Sequence, residues 1–358
     1  MSVEFSDGRG IQSGLFANQN RTITKDDWLR ECFPEWGTLI NKQMETMEVP
    51  KGQVAVWWLG GPSFSMKTSD GDIFLIDNYA GPSIYTEYSY CGVCRVSGAP
   101  SVDWMRLGPV FVDPWEFKKL DAVFCSHHHQ DHTDFYTIKA TAQTTDCRFI
   151  GSKSAVKKIK SFDVPDERIT TVVPGETITV GHTEVQILLN YDGMAAATGA
   201  KSPDALQDVR DVAVSFLFKT DAGNILFLAD TLYNNGYAAF KKYDIDLCFG
   251  NMGYAPPGAT DKMSPWDLFR VGQAVGAKYL VPFHYDNWAN SQEDPGMLEY
   301  IVEKKRQERR TNMKTIILQP GANMLFPRDK EMGRYTYPDY LERYDPEGSW
   351  EYGIPKEE

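Results

Sequence analysis

Four of the six histidines in this 358-residue chain fall within six positions, at His127, His128, His129 and His132 in the run SHHHQDHTD. An apolar strand, Ala122 to Cys125, leads straight into that run. Imidazoles crowded at a strand end constrain the fold, because a sheet edge must carry this loop to ligands from elsewhere in the chain. His127 and His129 turn onto one metal, and Asp131 and His132 onto a second. Neutral imidazole and carboxylate suit Zn, Fe or Mn. His128 alternates away from its neighbours and reads as a non-ligand. The loop itself reads as polar and exposed, so its side chains serve chemistry rather than packing.

Other candidates close apolar strands in the same way. Asp230 ends ILFLAD, where a carboxylate can bridge two metals, and His284 ends YLVPF. Asp192 follows EVQILL, and Asp77 follows IFLI. His127, His129, Asp131, His132, Asp230 and His284 are too many for one tetrahedral zinc, but suit two metals a few ångströms apart. Asp192 is also an ordinary turn former beside Gly193, and Asp77 an ordinary hydrogen-bond acceptor. Tyr285 and Asp286, beside His284, read as packing or surface residues or as contacts to ligands and substrate. His182, between two short strands, reads as an exposed turn residue.

The rest of the chain reads as strands first and helices later. Val54 to Gly60, then FSMKT and IFLI around an Asp-Gly turn, are strand signals. Further strands are expected at Arg148–Ser152, Thr177–Val180 and Glu184–Leu189, and in a hairpin turning at Asp221–Asn224. The last ones are Ile245–Phe249, Lys278–Phe283 and a closing run over Thr315–Phe326. TKDDWLRECF begins a short helix capped by Thr24. MSPWDLFRVGQAV is a helix with Ser264 as cap, Pro265 first and Asp267 completing the capping box. LEYIVEKKRQERR is a second amphipathic helix. This order predicts an α/β protein, with two sheets covered by outer helices. No polar linker divides the chain after residue 50. Residues 1–22 are expected to be a flexible segment, and 23–358 one domain with terminal extensions packed on it. Asn78–Pro109, aromatic and Gly/Pro-rich, reads as an ordered covering loop.

A net charge of -12 with no basic block makes nucleic acid an unexpected partner. No apolar run approaches the ~20 residues needed to cross a bilayer. MSVEFSDGRGIQSG lacks the basic start and apolar core of an export signal, so a cytoplasmic setting with reduced thiols is expected. Cys91 and Cys94 form one CxxC, with no second pair to complete a zinc site.

HHHQDH fits the HxHxDH motif of the metallo-β-lactamase fold, with Asp230 and His284 in matching strand-end contexts. From about Asp26 to Tyr340, the chain resembles the UlaG-like, L-ascorbate-6-phosphate lactonase branch of that superfamily. WLRECFPEWGT, VAVWWLGG, PVFVDPW, TDKMSPWDLFR and VPFHYDNWAN carry the resemblance. It implies an αββα sandwich of two mixed sheets, and metal-dependent opening of the lactone ring of L-ascorbate 6-phosphate to 3-keto-L-gulonate 6-phosphate. It also implies a place in carbohydrate metabolism, two divalent ions (commonly manganese), a cytoplasmic location and a homo-oligomer such as a hexamer. By position it gives His127, His129, Asp131, His132, Asp230 and His284 as metal ligands, with Asp192 as a ligand or a support to one. Two family features are replaced. Leu232 stands where the family has a histidine, and Ala255-Pro256-Pro257-Gly258 lacks the family's arginine.

The expected chemistry is attack of a metal-activated water on a lactone or related ester of a small anionic substrate. Asp131 orients the nucleophile and takes its proton, and Asp230 fixes the metal spacing. Lys262, Arg270 and Arg106 are candidates to replace the missing arginine. Two other classes stay open: a phosphodiesterase or amidohydrolase on the same metals, and a non-catalytic module that binds small anions.

Overall fold

The computed structural model describes residues 24–26, 28, 39–81, 106–198, 208–254, 262–289, 291–335, 350–351 and 354–355. The expectations for residues 1–22, Cys91, Cys94 and the Pro257 turn fall outside these, as does most of the 78–109 loop. Of the first predicted helix, one turn is described, closed by Trp28 N–H donating to Thr24 O.

A short helix α1 (Leu39–Thr46) precedes the first sheet, which starts with β1 (Val54–Trp58), β2 (Phe64–Thr68) and β3 (Ile73–Ile76). β4 (Ala122–Cys125), β5 (Arg148–Gly151) and β6 (Ile169–Thr171) extend it, with α2 (Phe135–Thr144) and α3 (Lys153–Lys160) in the crossovers. The second sheet contains β7 (Thr177–Val180), β8 (Thr183–Leu189), β9 (Val214–Thr220), β10 (Gly223–Phe227), β11 (Leu247–Asn251), β12 (Tyr279–Phe283) and β13 (Lys314–Thr315). Short helices α4 (Gly193–Thr198) and α5 (Val209–Val212) link β8 to β9. α6 (Pro265–Val275) and α7 (Pro295–Gln307) flank β12 in sequence, and β14 (Asn323–Phe326) returns to the first sheet.

The sheets have seven strands each, ordered β14-β1-β2-β3-β4-β5-β6 and β13-β12-β11-β10-β9-β8-β7. In each, an antiparallel half changes to a parallel half: β3, β4, β5 and β6 are parallel, as are β10, β11, β12 and β13. The expected sandwich of two mixed sheets with helices outside is the architecture found.

Strand periodicity explains the layering. Val54, Val56 and Trp58 of β1 face the second sheet, while Ala55 and Trp57 join a separate cluster with α1, α2 and α3. Both faces of β1 are therefore covered, which is why VAVWW is apolar throughout rather than alternating. Phe64 lies at the centre of the inter-sheet core. Its ring centroid is 5.2 Å from Phe227, 4.7 Å from Phe249 and 5.3 Å from Phe283.

One end of the sandwich is tied by carboxylates. Asp72, before β3, accepts from His182 N–H at 2.7 Å and from the Thr183 hydroxyl at 3.1 Å, in the β7–β8 turn. Asp221, before β10, accepts in return from Gly52 N–H at 2.7 Å and the Ser69 hydroxyl at 2.9 Å. Each sheet thus holds a turn of the other.

Candidate metal centre

The opposite strand ends build the site. Asp77 follows β3, Ser126 to His132 follow β4, Asp192 follows β8, Asp230 follows β10 and His284 follows β12. Converging carboxyl ends of parallel strands are the usual ligand position in such sheets. Two of these positions, and Ala229 just before Asp230, need left-handed backbone: Asp77 has φ 47°, His284 has φ 70° and Ala229 has φ 60°. Non-glycine residues rarely hold this region, and the strain concentrates where side chains are being aimed.

The histidine loop bonds to itself. Thr133 N–H donates to His129 O at 2.8 Å, and the Thr133 hydroxyl to His127 O at 2.6 Å. Asp134 then caps α2, accepting from Thr137 N–H at 2.7 Å. Because the backbone is satisfied internally, the loop is buried rather than exposed as its polarity implied. His127 and His132 are fully buried, and Asp131 is 7% exposed.

The structure brings seven sequence candidates together. Donor atoms of His127, His129 and Asp192 lie within 4.8 Å of one another. So do those of Asp131, His132 and His284, and those of His127, His132 and Asp230 between them. Asp230 Oδ2 is 3.3 Å from His132 Nε2, and its Oδ1 is 3.5 Å from His284 Nε2. Asp131 Oδ2 is 3.1 Å from His284 Nε2, and Asp192 Oδ2 is 3.6 Å from His127 Nε2.

The residues fit divalent cations. His127 Nε2, His132 Nε2, His284 Nε2 and Asp230 Oδ1 are buried and make no hydrogen bond. Buried polar atoms are rarely left this way, and four converging ones imply an ion. A network behind them sets the tautomers. His132 Nδ1 lies 2.8 Å from Asp77 Oδ2, to which the Ser126 hydroxyl donates at 2.6 Å. His127 Nδ1 lies 2.9 Å from that hydroxyl oxygen. With the serine proton committed to Asp77, both imidazoles are assigned as Nδ1–H donors, which turns their Nε2 lone pairs into the cluster.

Without a cation, the charges compensate one another. Burial opposes charge on His132, but Asp131, Asp230 and Asp77 outweigh it and hold the imidazole well above its ordinary range. Burial and the neighbouring imidazoles push His127 well below. Burial would raise Asp230, but His284, Lys262 and His132 hold it well down. A metal held by His132 would need its Nε2 unprotonated.

The other candidates are placed as follows. Asp77 is the acceptor just described. Lys262 donates to Asp230 Oδ2 at 2.5 Å. Tyr285 packs on Trp58, with ring centroids 5.2 Å apart, and donates to Leu318 O at 3.2 Å. Asp286 accepts from Gly61 N–H at 3.0 Å, bracing the β1–β2 turn. Arg106 donates to the carbonyls of Tyr79, Gly81, Gly108 and Pro109, and so is built into the loop rather than offered to substrate. Arg270 lies over the Tyr233 ring at 3.7 Å. The side chain of His128 turns to Ser154, 3.3 Å away. Sequence reasoning missed Ser126, and also Asn190, whose Oδ1 accepts from Asp192 N–H at 2.8 Å. A small polar residue beside a ligand gives no signal until one asks what fixes that ligand.

A family model described as a beta-lactamase superfamily domain matches residues 99–285. A probable L-ascorbate-6-phosphate lactonase, UlaG, from Escherichia coli O139:H28 (strain E24377A / ETEC) is 33% identical over 331 residues, covering 89% of this chain and 94% of that protein. The chain belongs to the UlaG-like branch of the metallo-β-lactamase superfamily. Solved structures share the fold at low identity. A possible metal-dependent hydrolase from Veillonella parvula DSM 2008 superposes with a TM-score of 0.56 at 15% identity, over 77% of this chain and 99% of that one. The isothiocyanate hydrolase from Delia radicum gut bacteria gives 0.54 at 16% identity, over 75% and 98%. As a member of this family with its candidate metal cages in place, the protein is a metal-dependent hydrolase. No helix among the described residues is long and apolar enough to cross a membrane.

Proposed function

We propose that the protein opens the lactone ring of L-ascorbate 6-phosphate or a closely related small anionic sugar lactone. The observation that carries this reading is the set of buried imidazole and carboxylate atoms converging without hydrogen bonds. The similarity to the UlaG lactonase over 89% of the chain gives it a substrate class.

His127, His129, Asp131, His132, Asp192, Asp230 and His284 would hold two divalent cations, manganese first among the candidates and zinc or iron next. Such ions acidify water and polarise a carbonyl oxygen. The chain supplies orientation and proton handling. Asp230 presents one oxygen toward His132 and the other toward His284, and so fixes the spacing between the cages. Asp131, the most exposed carboxylate of the set, would orient the attacking water and accept its proton. Asp77 and Ser126 hold His132 and His127 in the ligating tautomer. Lys262 is the buried ammonium beside these carboxylates, suited to an anionic substrate group. The same reading carries a cytoplasmic homo-oligomer, which light scattering tests.

The deciding assay pairs L-ascorbate 6-phosphate with unphosphorylated lactones at fixed metal loading. Recognition of the phosphate raises kcat/KM by about 10- to 100-fold for each charge-assisted hydrogen bond. Equal turnover of both forms means hydrolysis without phosphate specificity. Turnover of neither, with both ions bound, sinks the lactonase reading.

A further inference from the structure

Lys262 is a buried cation among the centre's acids. Its side chain is 5% exposed, and its Nζ lies 2.5 Å from Asp230 Oδ2. That same oxygen is 3.3 Å from His132 Nε2. The ammonium thus holds the carboxylate oxygen that a cation shared by His127, His132 and Asp230 would need. Asp230 itself is 1% exposed and enclosed by His132 and His284. The Lys262 backbone is also fixed. Gly253 N–H donates to Met263 O at 3.0 Å, and Ser264 caps α6 immediately afterwards. Glycine at 253 suits the packing here, since a Cβ would come 3.4 Å from Lys262 Cγ and 2.7 Å from Ser291 O. The lysine carries a compact charge at the end of a four-carbon stem.

A dication and an ammonium on one carboxylate oxygen repel each other strongly in a buried site. Without any cation, Asp131 and Asp230 face the imidazoles of His132 and His284. We propose that Lys262 and a divalent cation exchange on Asp230. The ammonium is the counter-ion of the carboxylate in the metal-free protein, and it leaves Oδ2 when the metal binds. The displaced ammonium stays within one side chain's length of the centre, where it meets the anionic group of a substrate. That last consequence rests on the lactone reading above, whereas the exchange itself rests only on the metal cages.

The test measures metal affinity and thermal melting, not turnover, so failure of the lactonase assignment leaves it intact. Mn²⁺ binding is measured by chelator competition for wild type, Lys262→Met and Lys262→Arg. Removing the ammonium removes a charge-assisted hydrogen bond that the metal must break, so Lys262→Met should bind Mn²⁺ about 10- to 100-fold more tightly. Its chelated form should melt below chelated wild type, and the loaded forms should converge. Lys262→Arg keeps the charge and should bind metal close to wild type. If Lys262→Met is recovered only with metal, competition against chelator still reads its affinity. Equal or weaker affinity in Lys262→Met overturns the exchange, as does Lys262→Arg binding as tightly as Lys262→Met.

Discussion

β3 and β10 each have an aspartate at either end, and the two ends of the sandwich use them oppositely. At the clasped end, Asp72 and Asp221 are met by backbone N–H groups and hydroxyls from the facing sheet. At the metal end, Asp230 is met by imidazoles and a lysine, and its Oδ1 makes no hydrogen bond. Asp77 stands between the two cases, since its donors are Ser126 and the back of a ligating histidine. The carboxylate is the same throughout. What differs is whether the fold brings backbone N–H groups and hydroxyls to its oxygens, which make a fastener, or withholds them, which makes affinity for a cation.

The largest effect that should separate the ends is on turnover. Asp131→Ala removes a carboxylate that faces His132 and His284. A loss of several kcal/mol of transition-state stabilisation is expected, roughly a 10³-fold drop in kcat/KM. The melt of the metal-free protein should fall as well, because Asp131 is a buried partner of His132 and His284. Near-normal turnover by this variant would falsify Asp131 as ligand or proton acceptor.

Asp77→Asn should fall next. An amide donating to His132 Nδ1 moves the imidazole proton to Nε2, where it faces the metal. Metal affinity should weaken about 10- to 100-fold. An unchanged binding isotherm would remove the tautomer argument.

Asp72→Ala should reverse the pattern, with normal metal content and lower stability. It strands the buried Thr183 hydroxyl, at about 1–3 kcal/mol for a buried donor left unsatisfied, and loosens the His182 N–H beside it. Urea unfolding measures the loss, and a fall in turnover at saturating metal would show that the ends are coupled.

Asp221 adds a smaller, pH-dependent effect. Burial would raise its carboxyl, but Gly52 N–H, the Ser69 hydroxyl and Lys51 hold it below the ordinary value. A depressed folded value means that the stabilisation is present at neutral pH. It is lost as pH falls through the ordinary carboxylate range and below it. The stability gap between wild type and Asp221→Asn should close over that acid interval, and a gap constant with pH would exclude the ion.

His128→Ala should do least. Burial, with Lys158, Lys157 and His132 nearby, pulls this imidazole down to about 3, so it packs as a neutral ring. A cost within about 1 kcal/mol, with unchanged metal content, is expected from denaturation and metal analysis.

Much of this was legible in the sequence because the signals were local and periodic. Ala122–Cys125 and Thr177–Val180 have the bounds read from their apolar runs. The capping box at Ser264 and Asp267 is present, with Ser264 accepting from Asp267 N–H. The strand-end pattern also marks Asp192 and Asp77, which follow EVQILL and IFLI. Helices Phe135–Thr144 and Lys153–Lys160 were missed. FYTIKATAQT is rich in threonine, and its strongest start signal, Asp134, sits inside the metal run where it reads as part of the motif. Ser152, which caps the other helix, reads as the end of the strand RFIGS. The three-residue strand β6 is partly exposed and shows no alternation. Burial of the histidine loop was also invisible, because polarity says nothing about whether a loop satisfies its own backbone.

Phe64 touches the aromatic rings that immediately support the metal end. Phe283 directly precedes His284, Phe249 lies in the strand that ends at Asn251, and Phe227 stands three residues before Asp230. The gap between cages is therefore held by the thickness of a hydrocarbon layer. Ions differ in the bond lengths they demand, so the choice among manganese, zinc and iron becomes partly a mechanical tolerance of the interior. Trimming Phe64 should therefore change metal affinity without touching a ligand.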